Sequence, residues 1–285
     1  MDKLLNKTSE QYRKAANGEG QFYLKSYLVD KPKAVAVILH DLISHGGRYQ
    51  DLALELNNKQ INVLVPDIVG LGMSKQGHPG AFAMKSGGID AIELDIYSLF
   101  DYHDKKYGEL PHYLISDGLT NTIAMLYTKQ YRNISGIVLL GCMKHMNVSS
   151  AMVATAKSFV MMKGYHSVAN ALISMTEAPS SQGRDESNKY YWISSNEEEI
   201  HKFIMDPNCG IPLAASAYLE IIAAEKLIGK LNWIQDFPNI PILLMSGTDD
   251  IMGSYSKAAR DEAGMLWDTS HESVSLRIYS GCRHD

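Results

Sequence analysis

The sequence has little of what several protein classes require. Its three cysteines, Cys142, Cys209 and Cys282, are odd in number, far apart and without a Cys-x-x-Cys pair. That pattern argues against a disulfide framework and indicates buried free thiols in a reducing compartment. The stretch from Met1 to Lys7 lacks the apolar core of a signal peptide, and no run approaches the ~20 apolar residues that span a bilayer. We therefore expect no integral membrane segment and, by default, a cytoplasmic location.

Blocks of like charge are also missing. The formal net charge is -5 at pH 7 and is spread without long runs, so the basic stripe that nucleic acid requires is absent. The hydrophobic share of 45% and the charged share of 21% are ordinary for a globular protein. At 285 residues the chain is long enough for one large α/β domain with an insertion. We therefore expect no nucleic-acid partner, and the composition leaves the oligomeric state open.

Strand-like apolar runs alternate with helical patterns along most of the chain. The continuous run at 34–39 is typical of a buried parallel strand. Further strand-like runs lie at 21–29, 61–67, 112–115, 136–141, 240–245 and 273–279. This alternation predicts an α/β fold with a mostly parallel central sheet covered by helices on both faces.

The alternation stops between the fifth and sixth of these runs. Helical patterns at 151–175, 196–203 and 212–231 there surround a polar loop at 179–188. Such a block between strands of one sheet indicates an insertion. We predict a core made of residues 1–142 and 238–285, with a helical lid at 143–237.

The centre of the chain has the outline of a nucleophile elbow with no nucleophile at its tip. An elbow is a strand, a sharp turn and a helix, with small residues two before and two after the tip. The frame centred on Gly118 has Ser116 and Thr120 in those positions. Frames centred on Ser116 or Asp117 place leucine or isoleucine there instead. Glycine therefore occupies the tip, where it has no side chain to attack a substrate.

Five further motifs surround the elbow in a recognisable order, and each contributes loop residues after or between strands. They are His40–Tyr49, Asp67–Ser74, Asp206–Gly210, Gly247–Asp250 and Tyr279–His284. An elbow, then an acid after a late strand, then a histidine after the last strand is the chain order of the α/β-hydrolase triad. Over nearly its whole length the chain resembles the monoacylglycerol lipase and lysophospholipase-like (serine aminopeptidase S33-type) branch of the α/β-hydrolases. The resemblance implies an α/β-hydrolase fold with an inserted helical lid.

The resemblance also implies roles for particular residues. Asp250 would orient His284, and His284 would draw a proton from a serine that attacks an ester carbonyl. The backbone N–H groups of Leu42 and Leu119 would hold the oxyanion. This chemistry calls for no metal and no cofactor.

Several positions depart from the family pattern. Asp41 stands where the family has glycine, and a carboxylate there would repel a developing oxyanion. Residues 116–121, Ser-Asp-Gly-Leu-Thr-Asn, replace Gly-His-Ser-Met-Gly-Gly, and Leu71 replaces a histidine. So many changes favour drift or repurposing over a single substitution. Asp41, His45, Met161 and Met162 remain candidate contacts for a small apolar or acyl-type ligand, since methionine suits flexible apolar groups. Core packing would explain the methionines equally well, and hydrogen bonds within the loop would explain His45.

Three hypotheses follow, and whether the chain is an enzyme stays open among them. The first is a weakly active or inactive relative of carboxylester hydrolases that retains an apolar pocket for an acyl ligand. The second is an active hydrolase in which His284 and Asp250 activate water, or in which Asp41 or Asp117 replaces the serine. The third is a non-catalytic ligand receptor or interaction module.

Overall fold

The computed structural model describes residues 7–75, 77, 79–82, 88–143, 150–168, 189–228 and 231–285. Within them, eight strands form one sheet: β1 (Lys7–Lys14), β2 (Gln21–Leu28), β3 (Ala34–Leu39), β4 (Ile61–Pro66), β5 (His112–Asp117), β6 (Gly136–Leu140), β7 (Ile242–Gly247) and β8 (Val274–Tyr279). Their order is β1-β2-β4-β3-β5-β6-β7-β8. The β1–β2 and β2–β4 pairs are antiparallel, and the other pairs are parallel. The predicted mostly parallel sheet is confirmed.

Helices connect the strands and cover the sheet. They are α1 (Gln50–Asn58), α2 (Gly88–Tyr107), α3 (Thr120–Tyr131), α4 (Ser150–Lys163), α5 (Glu197–Met205), α6 (Ala215–Ile228), α7 (Leu231–Gln235) and α8 (Lys257–Asp268). None of those in the described residues is long and apolar enough to cross a membrane.

Strand β3 explains why a central strand is apolar without interruption. Val35, Val37 and Leu39 enter one hydrophobic core, together with buried residues of α2, α3, α6 and α8. Ala36 and Ile38 point the other way, into a second core that includes Ala53 of α1. Because successive strand residues face opposite sides, a strand covered on both faces needs an apolar residue at every position.

Three elements differ from the sequence predictions. Strand β1 was not predicted, since its residues KTSEQYRK are polar and almost all exposed, and its pairing with β2 rests on backbone hydrogen bonds. Helix α8 was also missed. The helix predicted at 151–175 ends at Lys163, because Gly164 takes a φ of +95° that continues no helix. The remainder of that prediction from 169, and the loop at 179–188, lie outside the described residues.

The sheet order brings the loops of the site together. Leu39 at the end of β3 pairs with Ser116 of β5, and Asp117 pairs with Leu140 of β6. At the same edge Gly247 of β7 pairs with Tyr279 of β8. Loops that leave the carboxyl ends of adjacent parallel strands meet in one crevice, which is where open α/β sheets bind ligands.

Candidate active site

The turn between β5 and α3 places Gly118 at its apex. Gly118 has a φ of +59°, a left-handed backbone conformation that residues other than glycine rarely adopt. Its N–H donates to Leu140 O at 3.1 Å, which holds the turn against β6. The structure therefore places glycine where the elbow frame expects the nucleophile.

The polar residues around Gly118 hold the turn together. The Ser116 hydroxyl is fully buried and donates to Asn121 Oδ1 at 2.7 Å. The Thr120 hydroxyl lies 2.8 Å from Asp117 O, and Asn121 Nδ2 donates to Leu140 O at 2.8 Å. Ser116 is thus committed to a structural hydrogen bond inside the protein, and it cannot stand in for the missing serine.

Asp250 and His284 form a buried pair on the other side of the site. Asp250 follows β7 and is fully buried, and its Oδ2 lies 3.1 Å from Nδ1 of His284. Its Oδ1 accepts the N–H groups of Met252 at 2.9 Å and Gly253 at 3.2 Å. Trp192 packs edge-on against the imidazole, with ring centroids 5.2 Å apart. These contacts orient Nε2 of His284 toward Gly118.

The space beside Gly118 is taken by Asp41. A Cβ added to Gly118 would lie 2.7 Å from Asp41 Cγ and 3.1 Å from His284 Nε2, closer to Asp41 than real Cβ atoms come. Asp41 Oδ1 accepts the N–H of Leu119 at 3.2 Å, and the backbone N–H of Leu42 also favours the charged form of this carboxyl group. One of the two N–H groups predicted to hold an oxyanion, that of Leu119, therefore donates to a side chain of the protein itself.

Asp117 is a second carboxyl group beside the same histidine. Its Oδ2 accepts the Tyr49 hydroxyl at 2.6 Å, while Oδ1 is buried without a hydrogen-bond partner among the described residues. A Cβ on Gly141 would lie 2.8 Å from both Asp117 Oδ1 and His284 Cε1. The two side chains therefore lie close together beside Gly141. Burial raises the pKa of Asp117 to about 7, against the opposing effect of His284.

The same crowding sets the charge of His284. Burial by itself would lower the pKa of this imidazole, but the carboxylates of Asp250, Asp117 and Asp41 outweigh it and raise the pKa to about 10. Burial raises the pKa of Asp41, opposed by His284 and by the N–H groups of Leu42 and Leu119. At neutral pH the imidazole is therefore protonated. A histidine in that state cannot accept the proton of a serine.

Two histidines of the loop after β3 serve as links. Nε2 of His40 accepts the N–H of Ile68 at 3.0 Å, so Nδ1 carries the proton donated to Asp41 O at 2.8 Å. His45 Nδ1 accepts the Gly47 N–H, and its Nε2 lies 2.8 Å from Asp206 Oδ2. His45 thus joins this loop to residues 206–210, away from the contacts described at Gly118. Its predicted contact with a ligand stays a prediction.

The structure does not bring the two methionines into the cluster. Met161 and Met162 lie near the end of α4 and are 86% and 75% exposed. Cys142 and Cys209 are not activated as nucleophiles. Burial raises the pKa of the Cys142 thiol well above its usual range and that of the Cys209 thiol to about 12. A thiolate nucleophile has no support at either position.

Two contributors were not singled out by sequence reasoning. Tyr49 belongs to a quoted motif, but its hydroxyl bridges Asp117 and, at 3.4 Å, the Asp41 N–H only because the two loops meet. Gly141 follows an apolar strand with a φ of +51°. A glycine directly after a strand was the signal available for it.

Comparison with known proteins places this site in a family. The sequence profile of Hydrolase_4, described as serine aminopeptidase S33, matches residues 30–285. The chain belongs to this family. It is 25% identical to mouse monoglyceride lipase over 275 residues, which covers 94% of the chain and 81% of the lipase. The resemblance to the monoacylglycerol lipase-like branch is thereby confirmed.

Solved structures agree on the fold. A thermostable carboxyl esterase from Bacillus coagulans superimposes with a TM-score of 0.88 at 22% identity, covering 98% of this chain and 91% of the esterase. The monoacylglycerol lipase of Paleococcus ferrophilus superimposes with a TM-score of 0.67 at 20% identity, covering 93% and 90%. The α/β-hydrolase fold predicted from the sequence is confirmed.

Proposed function

We propose that this member of the family does not cleave esters through a serine acyl-enzyme, and that it is weakly active or inactive as a carboxylester hydrolase. The observation that carries the proposal is the carboxylate of Asp41 beside Gly118. It fills the space of a nucleophile's side chain and accepts the N–H of Leu119. Both the attacking oxygen and the vacant oxyanion site that acyl transfer needs are thus missing.

We propose further that the chain retains a pocket for a small apolar or acyl-type ligand beneath helices of the 143–237 segment. The support is that the relatives are named monoglyceride lipases, and that Ile228 of α6 lines a small cavity together with Gly118 and Leu119. Met161 and Met162 are candidate contacts only if α4 covers the ligand on binding.

Two measurements test this function. A fluorophosphonate probe should leave the wild-type protein unlabelled, and stoichiometric labelling would refute the proposal. A monoacylglycerol with a medium-length chain should raise the melting temperature in a concentration-dependent way, because a ligand that binds only the folded state stabilises it. Glycerol alone serves as the control, since it lacks the acyl chain.

The alternative in which His284 activates water is disfavoured by its protonation. An imidazole whose pKa is raised to about 10 is a poor acceptor at neutral pH. Turnover of a short acyl ester that disappears in His284→Ala would revive that alternative. A receptor or interaction module would instead bind the ligand with no turnover in either protein.

A further inference from the structure

The carboxylate of Asp41 lies where the side chain of a nucleophile at residue 118 would be, and a backbone N–H fixes its orientation. Its Cγ lies 2.7 Å from where a Cβ of residue 118 would be, and that same point is 3.1 Å from His284 Nε2. One carboxylate oxygen accepts the Leu119 N–H, as an ester carbonyl oxygen formed on this side chain would. Asp41 and His284 keep 6% and 7% of their surface exposed, whereas Asp250 has none.

We propose that Asp41 is a covalent nucleophile that has replaced the lost serine, and that the site acts on apolar alkyl epoxides or halides instead of carboxylic esters. Carboxylate nucleophiles are established in enzymes that proceed through covalent intermediates. The inference goes beyond the proposed function and rests on one part of it, namely that no serine acyl-enzyme forms.

The choice of substrate follows from leaving-group chemistry. If a carboxylate attacked an ester carbonyl, the tetrahedral adduct would expel the carboxylate again, because it leaves far more readily than an alkoxide. Attack at a saturated carbon has no such reversal. It forms an ordinary ester of Asp41 and breaks either a strained C–O bond of an epoxide or a carbon–halogen bond.

The first step balances with the groups present. An oxygen of the Asp41 carboxylate bonds to the saturated carbon, and the epoxide C–O bond breaks. The protonated Nε2 of His284, which has no hydrogen-bond partner among the described residues, gives its proton to the departing alkoxide. A halide leaves as the anion and takes no proton.

The second step restores the enzyme with water. Alkylation removes the negative charge of Asp41, which is one of the causes of the raised pKa of His284, so the imidazole is better able to lose or accept a proton. Neutral His284 takes a proton from water, whose oxygen attacks Asp41 Cγ, and the N–H groups of Leu42 and Leu119 hold the resulting oxyanion. The ester C–O bond breaks, the alkoxide takes the proton back from Nε2, and the Asp41 carboxyl group passes its own proton to His284. The net reaction of an epoxide is the addition of one water to give a diol.

With an alkyl halide the same cycle releases one alcohol, one halide ion and one proton. His284 must lose its proton to solvent before the second step, since the halide has not taken it. Octyl bromide is therefore a probe of covalent attack in isolation, and octene oxide is a probe of the full cycle.

The experiment traps the intermediate and then follows water. His284→Gln protein incubated with octyl bromide should gain one octyl group per chain, and peptide mapping should place it on Asp41. Wild-type protein turning over octene oxide in heavy-oxygen water should acquire the label in the Asp41 carboxylate. Asp41→Asn removes the proposed nucleophile and should lower diol formation by at least about a hundredfold. Asp249→Asn, a change of an exposed carboxylate beside Asp250, is the matched control and should turn over normally.

Each result has a defined meaning. Octyl addition at another residue, or equal diol formation by wild type and Asp41→Asn, overturns the inference. The inference is also overturned if the wild-type protein forms no diol and its Asp41 carboxylate gains no heavy oxygen. This test does not depend on whether His284→Gln folds. Those results would leave the proposed function standing as long as the fluorophosphonate probe fails to label the protein, so the two can fail separately.

Discussion

The two halves of the site differ in how they treat buried carboxylates. After β7 and β8, Asp250 has partners for both oxygens, His284 Nδ1 on one and the Met252 and Gly253 N–H groups on the other. After β3 and β5, Asp41 accepts the Leu119 N–H, which the family resemblance assigns to an oxyanion, and Asp117 keeps one oxygen unpartnered among the described residues. Under the proposed function, the first half still orients the histidine, and the second half, which would contact a reacting carbonyl, differs from the family pattern.

Under the proposed function, the half with Asp41 and Gly118 is where serine chemistry was lost. Asp250 and its partners also join the loops after β7 and β8, so their loss would cost stability. On the same proposal Asp41 and Gly118 lie where a substrate would react, so changes there should alter activity first. The following predictions test that division.

The largest effect is expected from restoring both parts of the half with Asp41 and Gly118. Gly118→Ser alone should remain without esterase activity, because the new Cβ meets the Asp41 carboxylate and the Leu119 N–H stays occupied. Asp41→Gly combined with Gly118→Ser should react with a fluorophosphonate and exceed the single variant by at least about a hundredfold on a short acyl ester, the value of one oxyanion donor. Asp249→Gly combined with Gly118→Ser is the control. Activity in the single variant equal to that of the double would show that Asp41 is no obstacle.

A large loss of stability is expected in the half with Asp250. Asp250→Ala leaves His284 buried without its partner, and breaking such a pair typically costs about 3–5 kcal/mol of unfolding free energy. Urea unfolding at neutral pH measures the change. Asp41→Ala should cost much less, because it removes a carboxyl group whose ionisation burial disfavours. Equal losses for the two variants would contradict the division between the halves.

A gain of stability is expected at Asp117. Its pKa is raised from 3.8 to about 7, so its contribution to stability is full below 3.8 and is lost as the pH rises through about 7. Asp117→Asn keeps an acceptor for the Tyr49 hydroxyl and removes the ionisation. The variant should be more stable than wild type by about 1–3 kcal/mol in mildly alkaline buffer, with a smaller difference in acid. Parallel pH profiles for the two proteins would show that Asp117 does not titrate in this range.

The smallest effect is expected at Asp249, the exposed neighbour of Asp250. Its carboxylate pairs with the Thr248 hydroxyl at 2.8 Å and is exposed to solvent. Asp249→Asn should change the unfolding free energy by less than about 0.5 kcal/mol. A change comparable with that of Asp250→Ala would reverse the assignment of the two acids.

Much of the fold was predictable because its signals are local. The run at 34–39 is apolar at every position since both faces of β3 are covered, and the alternation of strands with helices indicated the parallel sheet. Strand β1 was not predictable from its polar residues, because only pairing with β2 makes it a strand. Helix α4 ends earlier than its pattern suggested, at a glycine that the periodicity does not register.

Residue types and their spacing along the chain are enough to identify the elbow frame, the order of acid and histidine, and the lack of a hydroxyl at the tip. Contacts between distant parts of the chain place the Asp41 carboxylate over Gly118, direct the Leu119 N–H to it, and bring Asp117 and His284 beside Gly141. These contacts join loops after different strands. The distances between these loops depend on β3, β5 and β6 being neighbours in the sheet. No single segment of the sequence specifies that arrangement.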